Sequence, residues 1–248
     1  MVFYNNNLIF FLPRALKVLR TCLLLIPAFL NAEGYHLTLT QWWEHSPDSK
    51  PVNKCEAHKG LPLLRGQTAV LPSGSIMELE GLKGEVFRLG SNTQLTLLHD
   101  RQFRLSLGSA IVYIPPISEP LRIQGPTTDF WLHGEGTLAL QVTSNLGMKI
   151  ICLSHEPQLE IAGHSSGLVP SNVYFLPPNV PRIGRSITID LSLFLRTSKL
   201  IQDLKGVLPS DTLMRKTAFR QAINIRSRTN LFVGDATSPK DFDLIVVD

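Results

Sequence analysis

The chain has 248 residues, is 44% hydrophobic and 18% charged, and carries a net charge of +4. This is a globular composition, long enough to bury a core. Removing Arg14, Lys17 and Arg20 near the N-terminus from the 24 bases leaves 21 against 20 acids, so the body of the chain is near neutral and lacks the basic footprint of a nucleic-acid binder.

Residues 1–32 read as an export signal. The bases Arg14, Lys17 and Arg20 precede an apolar run, Cys22 to Leu30, and small Ala32 offers a cleavage point. The run is far shorter than the ~20 apolar residues that span a bilayer. No transmembrane segment is expected after residue 32, so the protein is expected to be periplasmic or secreted. Without this leader the cysteines are Cys55 and Cys152. An oxidising compartment would let them pair. The apolar run around Cys152 equally suits a small buried hydrophobe.

Residues 33–60 read as one short strand, Tyr35 to Thr40, followed by a polar linker with loop chemistry at Ser46–Pro51. Trp42-Trp43 pairs one buried ring with one covering ring, or forms a ligand platform. Cys55, His58 and nearby His45 are of metal-ligand type but lack a fourth member.

Residues 61–178 show short period-2 runs separated by turn residues. Met77/Leu79 alternate with Glu78/Glu80. Further runs are Leu95/Leu97, Phe103/Leu105/Leu107, Ala110/Val112/Ile114, Leu138/Leu140/Val142, Ile150/Cys152 and Leu159/Ile161. No helix-length pattern intervenes. The expected fold is mainly β, a sandwich or roll of many short, largely antiparallel strands.

Two motifs in this region mimic enzymes. Gly134-Glu-Gly-Thr-Leu-Ala139 fits a dinucleotide-binding turn, and Glu156 lies about where such a fingerprint places its acid. The fingerprint needs a helix next, whereas Thr137–Thr143 alternates with period 2. The glycines therefore read as a corner entering a strand. Gly163-His-Ser-Ser-Gly167 fits a nucleophile elbow centred on Ser165. An elbow needs a following helix and a downstream base. All 7 histidines, at 36, 45, 58, 99, 133, 155 and 164, precede Ser165. A Gly/Ser-rich turn between strands is the plainer reading. His155 and His164, nine apart across an expected hairpin, are a further pair of metal-ligand type.

After Pro177-Pro178 the period becomes helical. Asp190 caps a predicted helix to Lys205, stopped by Gly206, with Leu191, Phe194, Leu195 and Leu204 on its apolar positions. A second helix is predicted over 211–228. It places Leu213, Ala218, Ala222 and Ile225 inward and Arg215, Lys216, Arg220 and Arg226 outward. The region 186–248 is thus a helical appendix with a tail. The tail ends in an acidic, apolar stretch, Phe242-Asp-Leu-Ile-Val-Val-Asp248, with the length of one more strand.

Several β stretches resemble the FecR-type periplasmic domain. Arg104–Tyr113 is similar to its strand–Gly–strand step, and Pro120-Leu-Arg-Ile123 to the proline-led strand that follows. Gly136-Thr137 with Leu138–Val142 resembles its Gly-Thr-apolar signature. Lys149–Ser154 and Leu159–Ile161 resemble strands that flank a Glu-Gly turn in the family, written here His155-Glu156-Pro157. Val70–Ser75 and Ser91–Leu97 resemble the earlier strands. The resemblance spans about 60–178. The cytoplasmic anti-sigma helices and membrane span of the family's regulators have no counterpart here.

The resemblance implies a non-catalytic β domain with a binding, scaffolding or signalling role in the bacterial cell envelope, with an envelope protein or wall component as partner. No catalytic, cofactor or metal residue is then expected. Two other classes remain: a wall- or carbohydrate-binding module using Trp42, Trp43 and Trp131, and a serine hydrolase centred on Ser165.

Overall fold

The computed structural model describes residues 2–4, 34–45, 51–52, 60–116 and 119–225, with backbone alone for 2–4, 43–45, 51–52 and 224–225. Of the predicted leader only Val2–Tyr4 is described; the rest of it, Cys55, His58 and the tail beyond 225 lie outside the described residues.

The strands run in chain order β1 (Val2–Tyr4), β2 (Leu37–His45), β3 (Pro51–Val52), β4 (Pro62–Leu63), β5 (Thr68–Val70) and β6 (Ser75–Gly81). There follow β7 (Val86–Leu89), β8 (Gln94–His99), β9 (Gln102–Leu107), β10 (Ser109–Ile114), β11 (Leu121–Gln124) and β12 (Asp129–His133). The last six are β13 (Gly136–Val142), β14 (Met148–Ser154), β15 (Gln158–Ile161), β16 (His164–Gly167), β17 (Asn172–Leu176) and β18 (Ile187–Thr188). Helices α1 (Leu191–Thr197), α2 (Lys199–Gln202) and α3 (Asp211–Ile225) complete the described chain.

The strands form two sheets. The first has the order β1-β5-β8-β9-β11-β12-β15-β16, and the second β18-β17-β14-β13-β10-β7-β6-β2-β3, with β4 also on β2. The mainly β fold with C-terminal helices is as expected. Pairing is antiparallel except between β9 and β11, which run parallel. The chain shuttles between sheets. It lays β6 and β7 in the second, β8 and β9 in the first, β10 in the second, β11 and β12 in the first, and continues so to β18.

The crossings carry the backbone signals. Gly108, between β9 and β10, has φ +86, and a Cβ there would stand 2.3 Å from Thr93 Oγ1 and 2.5 Å from Thr93 Cα. Only glycine fits that corner. Gly134, with φ +81, turns the chain from β12 in the first sheet to β13 in the second.

The main core lies between the sheets. Leu95, Leu97, Phe103, Leu105, Ile123, Phe130 and Leu159 of the first sheet meet Leu39, Met77, Phe87, Val112, Leu140 and Cys152 of the second. Phe87 and Phe103 pack ring to ring at 4.4 Å between centroids. The outer face of the second sheet is also apolar. Ile76, Ile111, Tyr113, Ile151, Leu153 and Val173 receive Leu191, Leu195, Leu200, Ile201, Leu204, Leu208, Met214 and Ala218 of the helical region. The result is three layers, sheet on sheet on helix.

Several expected details change. The strand predicted over 35–40 runs on to His45, because β2 pairs along β6 as far as Glu44↔Ser75. Leu107 is 47% exposed and leaves the core. The predicted helix over 190–205 is two short helices. Asp190 caps α1 as expected, its carboxylate accepting from the Leu193 amide at 2.9 Å, but Ser198 is extended at φ −70, ψ 114 and breaks the run. On α3 the buried positions are Met214 and Ala218, while Ala222 is exposed. The helix therefore docks on a stripe rotated from the predicted one.

Candidate functional site

Among the described residues, helices roof the second sheet and none covers the outer face of the first. Strand alternation decides which side chains it shows. In β11, Leu121 and Ile123 go inward while Arg122 and Gln124 go out; in β12, Phe130 and Leu132 go inward while Asp129, Trp131 and His133 go out. In β15, Gln158 and Glu160 face outward.

Register lines these residues up in rows. Gln102, Arg122, Trp131, Glu160 and Ser165 are successive cross-strand partners across β9, β11, β12, β15 and β16. Beside them run Arg104, Gln124 and Asp129. The Arg122 guanidinium lies over the Trp131 ring, 5.4 Å from its centroid, and donates to Asp129 Oδ2 at 2.9 Å. Arg104 donates twice to Gln124 Oε1, at 3.2 and 2.9 Å. His133 Nε2 lies 2.9 Å from Glu160 Oε2. The face is thus a half-exposed indole framed by guanidinium, carboxylate, amide and imidazole groups. Such groups can stack on and hydrogen-bond to a partner laid against the sheet.

Ser165 is part of this face. It is not in a turn, as the sequence suggests, but on the edge strand β16; the turn is Ala162-Gly163, with φ +49 and +78. Its hydroxyl donates to Gln158 Oε1 at 3.3 Å. A strand of four exposed residues carries it, with β17 after it, so the strand-to-helix step of a nucleophile elbow is not formed.

His155 and His164 do not face each other across a hairpin. The hairpin is β15 with β16, and His155 sits on the crossing from β14 to β15, which belong to different sheets. The His155-Glu156-Pro157 stretch is therefore an intersheet crossing rather than a hairpin turn. His155 Nε2 instead lies 3.2 Å from Glu135 Oε1 on the neighbouring crossing after Gly134. The Gly134–Ala139 stretch serves as that corner, with β13 beginning at Gly136.

Of the predicted aromatic trio, the two described side chains, Trp42 and Trp131, stand on different surfaces. Trp42 packs half-buried against the main core, Trp131 stands on the outer face of the first sheet, and the Trp43 side chain lies outside the described residues. No group of three potential metal ligands occurs among the described residues. Cys152 is a buried free thiol that donates to the carbonyls of His155 and Leu168, each at 3.4 Å. Burial, and then the Glu156 charge, push its pKa up to about 12.

Other charged groups are enclosed. Glu85 is fully buried and paired with Arg101, itself 3% exposed. Burial and the adjoining Glu85 carboxylate raise the Tyr35 phenol well above its ordinary range. Among the described residues, no helix is long and apolar enough to cross a membrane.

The sequence named Trp131 and Ser165 but missed Arg122, Asp129, Gln158 and Glu160. Their signal was polar alternation opposite an apolar stripe. What joins them is register, and the pairing of β12 with β15, across the excursion of β13 and β14 into the other sheet, has no local marker.

No family model and no curated protein matches the chain. Among solved structures, two crystal structures of a protein described as a "putative anti-sigma factor" from Parabacteroides distasonis are similar, each with a TM-score of 0.41 and 10% identity. Each alignment covers 68% of this chain and 95% of that chain.

Proposed function

We propose that this chain is a non-catalytic, exported FecR-like protein that binds or scaffolds in the bacterial cell envelope through the open face of its first sheet. One observation carries the reading. The second sheet is covered by the chain's own helices, whereas the first keeps the Arg122–Trp131–Glu160 row at the surface. The FecR-type resemblance over 60–178 and the leader expected in 1–32 support an envelope setting. The partner class is an envelope protein. A wall glycan is the second reading, favoured by the half-exposed Trp131 ring, although Arg122 already occupies part of its surroundings.

The test is capture of the tagged full chain's partners from native envelope extract, beside sedimentation with isolated cell wall. Arg122→Glu and Trp131→Ser are compared with the unaltered protein after circular dichroism establishes the fold. Loss of a specific protein partner in both variants is the expected result. Loss of wall sedimentation instead selects the glycan reading. Unchanged capture and sedimentation in both variants would remove the open face from the function.

A further inference from the structure

Helix α3 has two unlike sides. Met214 and Ala218 are buried against the second sheet. The other side carries Phe219 at 68% exposure and Ile223 at 57%, one turn apart. Exposed Arg215, Lys216 and Arg220 flank them. The only acid of the helix is Asp211, and it is bound to Arg215 at 2.7 Å. Single exposed apolar residues are ordinary. An aromatic and a branched aliphatic side chain on one helical stripe, framed by bases and no free acid, form a surface for an acidic, apolar ligand.

The chain carries a segment of that chemistry. Residues 241–248, Asp-Phe-Asp-Leu-Ile-Val-Val-Asp, hold three acids, no base and five apolar side chains. Fifteen residues, 226–240, separate them from Ile225. Fifteen residues can span at most roughly 50 Å. Phe219 lies six residues back from Ile225, about 9 Å along the helix. The number of linking residues therefore permits the segment to reach back to Phe219.

We infer that the outward stripe of α3, built on Phe219 and Ile223 with Lys216 and Arg220, is the docking surface for the chain's own residues 241–248. The apolar side chains of the segment cover Phe219 and Ile223, and its aspartates face the bases. This surface lies on the helical layer, apart from the open face of the first sheet, and the inference does not depend on the role given to that face.

Amide hydrogen exchange of the full chain, followed by mass spectrometry, tests it. Residues 241–248 should exchange about tenfold or more slowly than an unstructured segment. In Phe219→Ser/Ile223→Ser they should return to the unstructured rate, while 211–218 stay protected because Met214 and Ala218 are untouched. Arg220→Glu should weaken the protection, and Asp243→Arg in that background should restore it. Three results would overturn the inference. One is unstructured exchange of 241–248 in the unaltered chain. Another is protection that survives the double serine variant. The third is protection that rises with protein concentration, which would assign the stripe to a second copy. Vesicles of phosphatidylserine and phosphatidylcholine provide a further arm. Stripe-dependent vesicle binding with an unprotected tail would make the occupant an anionic membrane and equally overturn it.

Discussion

Glu78 and Arg88 stand directly opposite each other on β6 and β7, and their ion pair, Arg88 Nε to Glu78 Oε2 at 2.8 Å, is sealed beneath the helices. The same guanidinium donates to the carbonyl of Leu200 at 3.1 Å and to that of Gly206. Glu78 in turn accepts from Thr40 at 2.9 Å and from Gln41 at 3.0 Å. Gln41 accepts from the Lys205 amide at 2.9 Å. One buried pair thus joins three strands to the turn that ends α2. It also explains why the predicted helix over 190–205 stops short: the carbonyls after the break are satisfied by Arg88 rather than by further helical turns.

Arg88→Met should therefore cost about 3 kcal/mol or more, since it leaves the Glu78 carboxylate buried without its cation and frees two carbonyls. Urea denaturation measures the loss. Amide exchange in 199–206 should rise before exchange in β13 and β14. A loss below about 1 kcal/mol would show that the helices are held by apolar contact alone.

The helical layer is part of the fold. A chain ending at residue 185 would bare Ile76, Ile111, Ile151, Leu153 and Val173, which the helices now cover. Such a truncation should aggregate or melt ~10 °C or more below the full chain. Met214→Ala, a single deletion in the same layer, should cost about 2–5 kcal/mol because Met214 is 0% exposed. Equal melting of the truncated and full chains would make the appendix separable.

What the sequence made legible follows from local physics. Period-2 runs at Leu95/Leu97, Phe103/Leu105 and Leu138/Leu140 have one face in the main core, so alternation marked them correctly. In β14 all seven residues are buried, because one face meets the first sheet and the other meets the helices. There alternation cannot report which side is which. The rotation of α3 has the same origin: Leu213 and Met214 are equally apolar, and only the position of the underlying sheet selects Met214. The open-face row was hidden more deeply. Arg122, Trp131 and Glu160 are 38 residues apart from first to last, and they meet only once two crossings between the sheets are set.

Ser165 offers a direct check on catalysis. It donates to the amide oxygen of Gln158, a group that cannot take its proton. A fluorophosphonate probe should not label the folded protein, and Ser165→Ala should change stability by no more than about 0.5 kcal/mol, as for an exposed edge position. Stoichiometric labelling that disappears in Ser165→Ala would restore the hydrolase reading.

Export can be tested apart from any partner. If residues 1–32 are an export signal, as the sequence leads one to expect, the apolar run Cys22 to Leu30 would tolerate no charge at its centre, because partition into the membrane is opposed by several kcal/mol per base. Leu24→Arg should hold the precursor in the cytoplasm on fractionation. Normal appearance of that variant outside the cytoplasm would show that residues 1–32 are not the signal.

Cys152 makes the alkaline stability predictable in sign. In the folded protein, burial and then the Glu156 charge hold its proton up to about 12, against an ordinary value of 9.0. Above pH 9 the unfolded thiol has lost its proton while the native one keeps it, so deprotonation favours the unfolded chain. The contribution is complete below pH 9 and fades as pH rises toward 12, at about 1.4 kcal/mol per pH unit within that window. Tyr35, whose phenol is also raised by burial and by Glu85, acts in the same direction from pH 10 upward. Urea denaturation at pH 8 and pH 10 should therefore differ, and about 1.4 kcal/mol of the difference should vanish in Cys152→Ala. The thiol should also resist an aromatic disulfide reagent until the protein is unfolded, because the thiolate that reacts is not formed in the native core. An unchanged pH dependence in Cys152→Ala, or rapid reaction of the native thiol, would place Cys152 in a wetter setting than the packed interface between β14 and the first sheet.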